Sequence, residues 1–326
     1  MTSCPVSGSW LDGGPSDVPG GWQGDCGWAE APNKMPLCKW SGKGAQNRVS
    51  NAWATYTGAH DTLDGDRNMG DYTRSANGAL MGIDASVSCN WRLGVSLGYE
   101  TSTGEVDEVE VNADAFFVDA YAAGVTGNFK HRASIGLGFT TFESDRRVFV
   151  DAGYHSFAGK VNSETDAISL NMGYEISSDY RINERSYLAR YLAANLAWHK
   201  VDDSKENGIA GLGTSTEYDK EWQADVALGV SYNRAFAAVP HQNSALFYAN
   251  AAVHVELLND QSTATSRFGN AAWESRSMKR DTVYFEIGTG VVVPLPPAWT
   301  ATAGAAVELG SEHTSVSGNI GVRYSF

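Results

Sequence analysis

The chain has 326 residues and a formal net charge of −14, with only 19% of its residues charged. An acidic balance argues against a nucleic-acid partner, because phosphate backbones are held by clustered Lys and Arg. No run of about 18 apolar residues occurs, which excludes a membrane-spanning helix; the mean hydropathy of −0.29 does not exclude a β-barrel, whose strands alternate apolar and polar residues and so average low.

Residues 1–48 read as an irregular linker or plug segment. They are rich in Gly, Pro and Trp (LDGGPSDVPGGWQGDCGW) and show neither a period of 2 nor one of 3.6. They carry three of the four cysteines, Cys4, Cys26 and Cys38; the fourth is Cys89. No pair has C-x-x-C spacing, so a metal cluster is not expected, and no cofactor is assigned. An oxidising compartment would permit disulfides; Cys26 and Cys38 could close a short loop, and the pairing stays open. The opening MTSCPVSGSW lacks the basic and apolar regions of a secretory signal. The expectation is a removed signal, or a C-terminal part of a longer chain.

From residue 49 to residue 326 period-2 alternation recurs. Twelve segments are predicted, centred near residues 55, 81, 96, 119, 137, 172, 195, 227, 251, 288, 304 and 320. In the third, Trp91, Leu93, Val95, Leu97 and Tyr99 alternate with Arg92, Gly94, Ser96, Gly98 and Glu100. In the sixth, Ile168, Leu170, Met172, Tyr174 and Ile176 oppose Ser169, Asn171, Gly173 and Glu175. The last puts Val316, Gly318, Ile320, Val322, Tyr324 and Phe326 opposite Ser317, Asn319, Gly321, Arg323 and Ser325. Most segments reach the roughly 9–11 residues that a tilted strand needs to cross a bilayer.

Charge placement separates a membrane barrel from a soluble sandwich. Asp84, Arg92, Glu100, Asp119, Arg132, Glu175, Asp225, Glu256, Glu286, Glu308 and Arg323 all fall on the polar face. The apolar face is nearly uncharged, as expected where Lys or Arg at the midplane costs about 2–4 kcal/mol. Arg190 is an exception, near a strand end. Aromatics bound that face (Trp91, Tyr99, Trp198, Trp222, Tyr232, Trp299, Phe326), as interfacial girdles do. Connections near 89, 127, 180, 239 and 297 are short or moderate. Those near 61–74, 102–113, 143–165, 202–219 and 259–281 are predicted as long polar loops, and that near 311–314 is short. This parity assigns the long connections to the outside and both barrel ends to the periplasm. The predicted fold is therefore all-β: a transmembrane antiparallel β-barrel of twelve strands over residues 49–326, with the lipid bilayer as its partner.

The lumen then receives the polar face: Arg92, Asp119, Glu175, Asp225, His254, Glu256, Glu286, Glu308 and Arg323. Twelve strands stand between side-chain-filled barrels of about 8 and open channels of 16–18, leaving room for roughly one helix of 10–12 Å diameter. Gly94, Gly98, Gly136, Gly138, Gly173, Gly288, Gly290 and Gly304 either widen this lumen or relieve sheet curvature. Three motifs invite chemistry. Gly94-Val95-Ser96-Leu97-Gly98 matches G-x-S-x-G, but Ser96 lies mid-strand, where a hydrolase needs a strand-to-helix elbow. The run Asp61-x-x-Asp64-Gly65-Asp66-x-Asn68 suggests calcium, yet counting from Asp64 the required Gly and Glu positions hold Met69 and Ser75; it reads as a solvated acidic loop. Glu105, Asp107, Glu108 and Glu110 read likewise as an extended external loop. His254 and Glu256 share the lumen face and read as a hydrogen-bond network, with an acid–base pair as the alternative. No catalytic site is assigned.

The final residues GVRYSF resemble the C-terminal assembly signal of outer-membrane barrels, carried by Phe326, Tyr324, Val322 and Ile320. The wider pattern resembles the translocator domain of the autotransporters, the type V secretion proteins. NAWATYTGAHD, NGALMGIDASVSCNWRLGVSLGY, DAFFVDAYAAG and, late in the chain, SRFGNAAWES carry it, over residues 49–326. The resemblance implies an integral outer-membrane pore for protein transport that anchors an N-terminal passenger and helps export it, with the barrel-assembly machinery and the chain's own passenger segment as partners. That family usually threads a helix through the pore before its first strand. Here KWSGKGAQNRVS has glycines at 42 and 44, so a helix there would span one to three turns at most. Gln46-Asn47-Arg48 offers no self-cleavage signal, so autoproteolytic release does not carry over. The alternatives are a free-standing porin or adhesin and, third, an outer-membrane enzyme.

Overall fold

A computed structural model of the chain describes residues 50–326 apart from 66–69, 89, 108, 152–155, 208–212, 237–244, 260–262, 269–270, 277–280 and 296–297. Residues 1–49, and with them Cys4, Cys26 and Cys38, lie outside the described residues, as does Cys89. The strands are β1 (Ser50–Leu63), β2 (Tyr72–Ser86), β3 (Trp91–Val106), β4 (Val109–Thr126), β5 (Phe129–Asp151), β6 (Ser156–Asn183), β7 (Ser186–Val201), β8 (Ser204–Lys205), β9 (Ser215–Tyr218), β10 (Glu221–Phe236), β11 (Ala245–Asn259), β12 (Thr263–Phe268), β13 (Ala271–Arg276), β14 (Val283–Leu295), β15 (Trp299–Leu309) and β16 (His313–Ser325). Twelve of them close into a barrel in which each strand pairs with its neighbours and β1 pairs with β16. These are the twelve predicted segments.

Closure follows from the physics of the solvent. Hydrocarbon offers nothing to hydrogen-bond an open sheet edge, so the edges must meet. They do so from Asn51↔Ser325 to Leu63↔His313, and the ends lock where Ser50 N donates to Phe326 O (3.1 Å) and Phe326 N to Ser50 O (2.9 Å). The barrel is apolar outside. Met81, Leu97, Leu228, Ile287 and Ile320 are exposed, whereas the alternate residues on the same strands, among them Asp84, Ser96 and Glu286, are buried in the lumen. A continuous exposed belt of this size marks a contact surface, and on a closed barrel that contact is lipid. Apolar residues do line one part of the lumen, where Leu246, Tyr248 and Val292 cluster with Tyr187.

The external side differs from the sequence expectation. The predicted loop 102–113 is the end of a hairpin: β3 and β4 stay paired up to Val106↔Val109, and Asp107 takes a left-handed φ of 51° in the turn. Most of 143–165 is likewise strand, with β5 and β6 paired out to Asp151↔Ser156. Within 61–74, β1 runs to Leu63 and β2 begins at Tyr72. Near 180 the chain is still β6, and the turn comes after Asn183. Beyond the bilayer neither face must be apolar, so alternation vanishes while the backbone ladder continues. The connections 202–220 and 260–282 also contribute strands, which form a separate sheet in the order β13-β12-β9-β8.

This outer sheet is tied to the long β5–β6 hairpin. Asn162 and Asn207 exchange backbone hydrogen bonds, and Arg146 donates to Glu206 from Nε (2.9 Å) and Nη2 (2.7 Å). Glu206 also accepts from Thr214 N and Oγ1. Burial alone would raise its pKa, but the Arg146 and Thr214 hydrogen bonds outweigh burial and hold it below the ordinary carboxylate value of 4.5. A depressed folded pKa gives stability that is present above the unfolded value and is lost as pH falls through the folded one. Proteolysis of the 202–220 connection in the assembled barrel is therefore expected to accelerate only below about pH 4.5. In Glu206→Gln it should be fast already at neutral pH; a pH-independent wild type would refute the anchor.

Candidate functional site

The predicted polar face converges on the lumen, and alternation on each strand decides which side chains reach it. Its periplasmic half is charge-balanced. Asp84 of β2 accepts from Asn51 Nδ2 (2.6 Å) and Tyr121 Oη (3.1 Å) and pairs with Arg92 Nε (3.0 Å). Trp53 Nε1 donates to Tyr121 Oη (2.7 Å), and Ser325 Oγ to Asn51 Oδ1 (2.7 Å). Five strands, β1 to β4 and β16, are thereby joined across the barrel seam. On the neighbouring wall Lys130 pairs with Asp179 (2.8 Å) and Arg132 with Glu175 (3.9 Å). Arg323 stands in register with Trp53.

Glycines let this network lie flat. Tyr121 is in register with Gly94, and Trp53 with Gly82; a Cβ on either glycine would overlap the ring. Tyr191 covers Gly229 in the same way, and Tyr248 covers Gly290 and Gly304. The space beside Gly98 is taken by Leu80 and Phe117, that beside Gly138 by Ser169 and Phe117, and that beside Gly136 and Gly288 by Asp119 and Asn250. These inward glycines therefore seat a neighbouring strand's side chain against the wall. That role lies outside the two expected from sequence, and it keeps large rings out of the channel.

The external half is acid-rich. Asp225 faces Glu256 in register, Glu286 faces Glu308, Glu308 faces Ser315, and Ser315 faces Asp61. Ser315 Oγ donates to Asp61 (2.5 Å), and Arg74 bridges Asp61 (3.3 Å) and Glu100 (2.6 Å). His254 stacks on Tyr284, with Nδ1 3.4 Å from Asp225 and Nε2 3.3 Å from Glu286; Asn195 and Asn250 donate to the same two carboxylates. Six carboxylates (Asp61, Glu100, Asp225, Glu256, Glu286, Glu308) thus share a collar with Arg74 and His254. His254 thus sits between two carboxylates, with Nδ1 in hydrogen-bond geometry to Asp225 and Nε2 near Glu286 without such a bond. Asp119 lies below the collar, 3.4 Å from Ser96 Oγ, and no strand-to-helix elbow exists at Ser96, which is mid-β3.

Sequence reasoning missed the seam residues Asn51, Trp53 and Tyr121, and it placed Asp61 and Arg74 in a solvated loop. Asp61 is instead 5% and Arg74 6% exposed. Counting alternation two residues beyond Ala59, and two back from Ala76, would have put both on the lumen face. Of the suspected calcium run, residues 66–69 lie outside the described residues; among the described residues no three His, Cys, Asp or Glu side chains converge as a metal site. The proposed assembly residues Ile320, Val322, Tyr324 and Phe326 form an exposed outward row on β16 and its terminus.

Comparison with known proteins accords with this geometry. Residues 52–306 match the family described as the autotransporter beta-domain. An extracellular serine protease of Serratia marcescens is 27% identical over 192 residues, covering 53% of this chain and 18% of that protein, so the chain spans about a fifth of the relative's length. The translocator domain of autotransporter NalP from Neisseria meningitidis superposes with a TM-score of 0.69 at 16% identity, covering 85% of this chain and 88% of that one. The beta domain of the Bordetella autotransporter BrkA gives 0.58 at 17% identity, with 85% and 99% covered.

Proposed function

The chain belongs to the autotransporter β-domain family, and from that premise we propose that it anchors an N-terminal passenger in the outer membrane and helps carry it across. The observation that bears most weight is a closed twelve-strand wall, apolar outside and polar inside. Such a wall can insert in lipid and still offer a hydrated path to a polypeptide. Residues 1–48 are the linker or plug and residues 49–326 the barrel. The linker carries Lys39, Lys43 and Arg48 immediately before β1, and the acidic collar attracts such a basic segment into the lumen. The row from Ile320 to Phe326 is the signal read by the barrel-assembly machinery. The polar lumen residues act as wall and not as catalysts, bonded to one another across the strands as Asp84, Arg92 and Tyr121 are.

Single-channel conductance in a planar bilayer tests the reading, with the full chain compared with a chain beginning at residue 49. The full chain is expected to be closed or weakly conducting, and truncation to open a steady, cation-selective pore. A wide conductance unaffected by truncation would favour a free-standing porin.

A further inference from the structure

The outer wall carries charges that neither the lumen nor the terminal strand uses. Outward acidic residues (Glu105, Glu110, Asp114, Glu143, Glu164, Asp166) are all exposed and stand towards the external ends of their strands. At the periplasmic end the sign reverses. Arg190 of β7 is in register with the outward residues Val230 and Ser178, and Arg234 of β10 with Ser186; both arginines are exposed. They lie on adjacent strands, four residues of β10 apart, a rise of roughly 14 Å before strand tilt. Tyr232 sits between them, its hydroxyl bonded to Ser186 Oγ (3.2 Å). Tyr180 and Ile182 of β6 flank the pair, 63% and 52% exposed.

Among the described residues neither guanidinium has an ion-pair or hydrogen-bond partner. Outward cations at the opposite end do have partners: Lys200 has Asp202 at 3.0 Å and Lys160 has Asp145 at 2.7 Å. An arginine against lipid reaches for the interface with its aliphatic stem in the hydrocarbon. Arg190, the deeper of the two, reaches down towards the interface at which Arg234, near the end of β10, already stands, so both heads reach the head-group level on the face that carries Tyr232. At that depth the available anion is a lipid phosphate, which suits the planar guanidinium fork. We propose that Arg190 and Arg234 form a head-group site for an anionic phospholipid of the periplasmic leaflet, with Tyr180 and Tyr232 against its glycerol region.

The test is native mass spectrometry of the full chain refolded in detergent and titrated with phosphatidylglycerol or phosphatidylcholine. Wild type should retain one phosphatidylglycerol at least tenfold more tightly than phosphatidylcholine. Arg190→Gln/Arg234→Gln should lose that preference while keeping heat-modifiable mobility. Equal retention of the two lipids by wild type overturns the proposal, as does an unchanged preference in the double variant. Should the variant fail to fold, the wild-type comparison decides alone.

Discussion

Leu97→Arg is expected to destabilise the barrel by about 2–4 kcal/mol, the cost of an arginine at the bilayer midplane, whereas Ser96→Arg should cost about 1 kcal/mol or less. The two residues are neighbours, and only the pleat separates their fates. Leu97 is 48% exposed in the middle of β3, in register with the outward residues Met81 and Val118. An arginine there stands too far from either interface to reach water. Ser96 is 5% exposed and 3.4 Å from a carboxylate oxygen of Asp119, so a guanidinium at 96 enters a hydrated lumen with an anion beside it. Urea titration of both variants refolded in vesicles would read the difference. Equal tolerance would mean that the inner and outer faces are reversed.

Deleting Phe326 is expected to reduce assembled, heat-modifiable barrel in the outer membrane by about tenfold or more. The deletion removes two things together. It removes the aromatic end of the outward row, where Phe326 is 65% exposed and stacked on Tyr324. It also removes both backbone hydrogen bonds to Ser50 that finish the seam, each worth about 0.5–1.5 kcal/mol net. Phe326→Ala separates the two, because it keeps the backbone and loses the ring. If the ring is the assembly signal, Phe326→Ala should fail nearly as badly as the deletion; if the seam is what matters, it should assemble normally. Undiminished assembly of the deletion itself would refute both roles.

The sequence by itself determined the twelve barrel strands and their two faces. A strand between lipid and a hydrated lumen must alternate, and that constraint is written residue by residue, as in Trp91 to Glu100 or Val316 to Phe326. It also grouped the connections by rim, because short turns such as that at Gly127 gather at one end of the strands. What only the tertiary structure decided are the relations between strands. Asp61 and Ser315 meet across the seam though 254 positions apart, and no local pattern announces it. The same holds for Tyr121 lying over Gly94 to reach Asp84, for His254 between Asp225 and Glu286, and for the outer sheet built from two separate connections. Outside the bilayer the two faces of a strand share one solvent, so β5 and β6 continue past residue 143 with no alternation to betray them. Alternation records which solvent each face meets; partners are fixed by the register of strands that become neighbours only when the barrel closes.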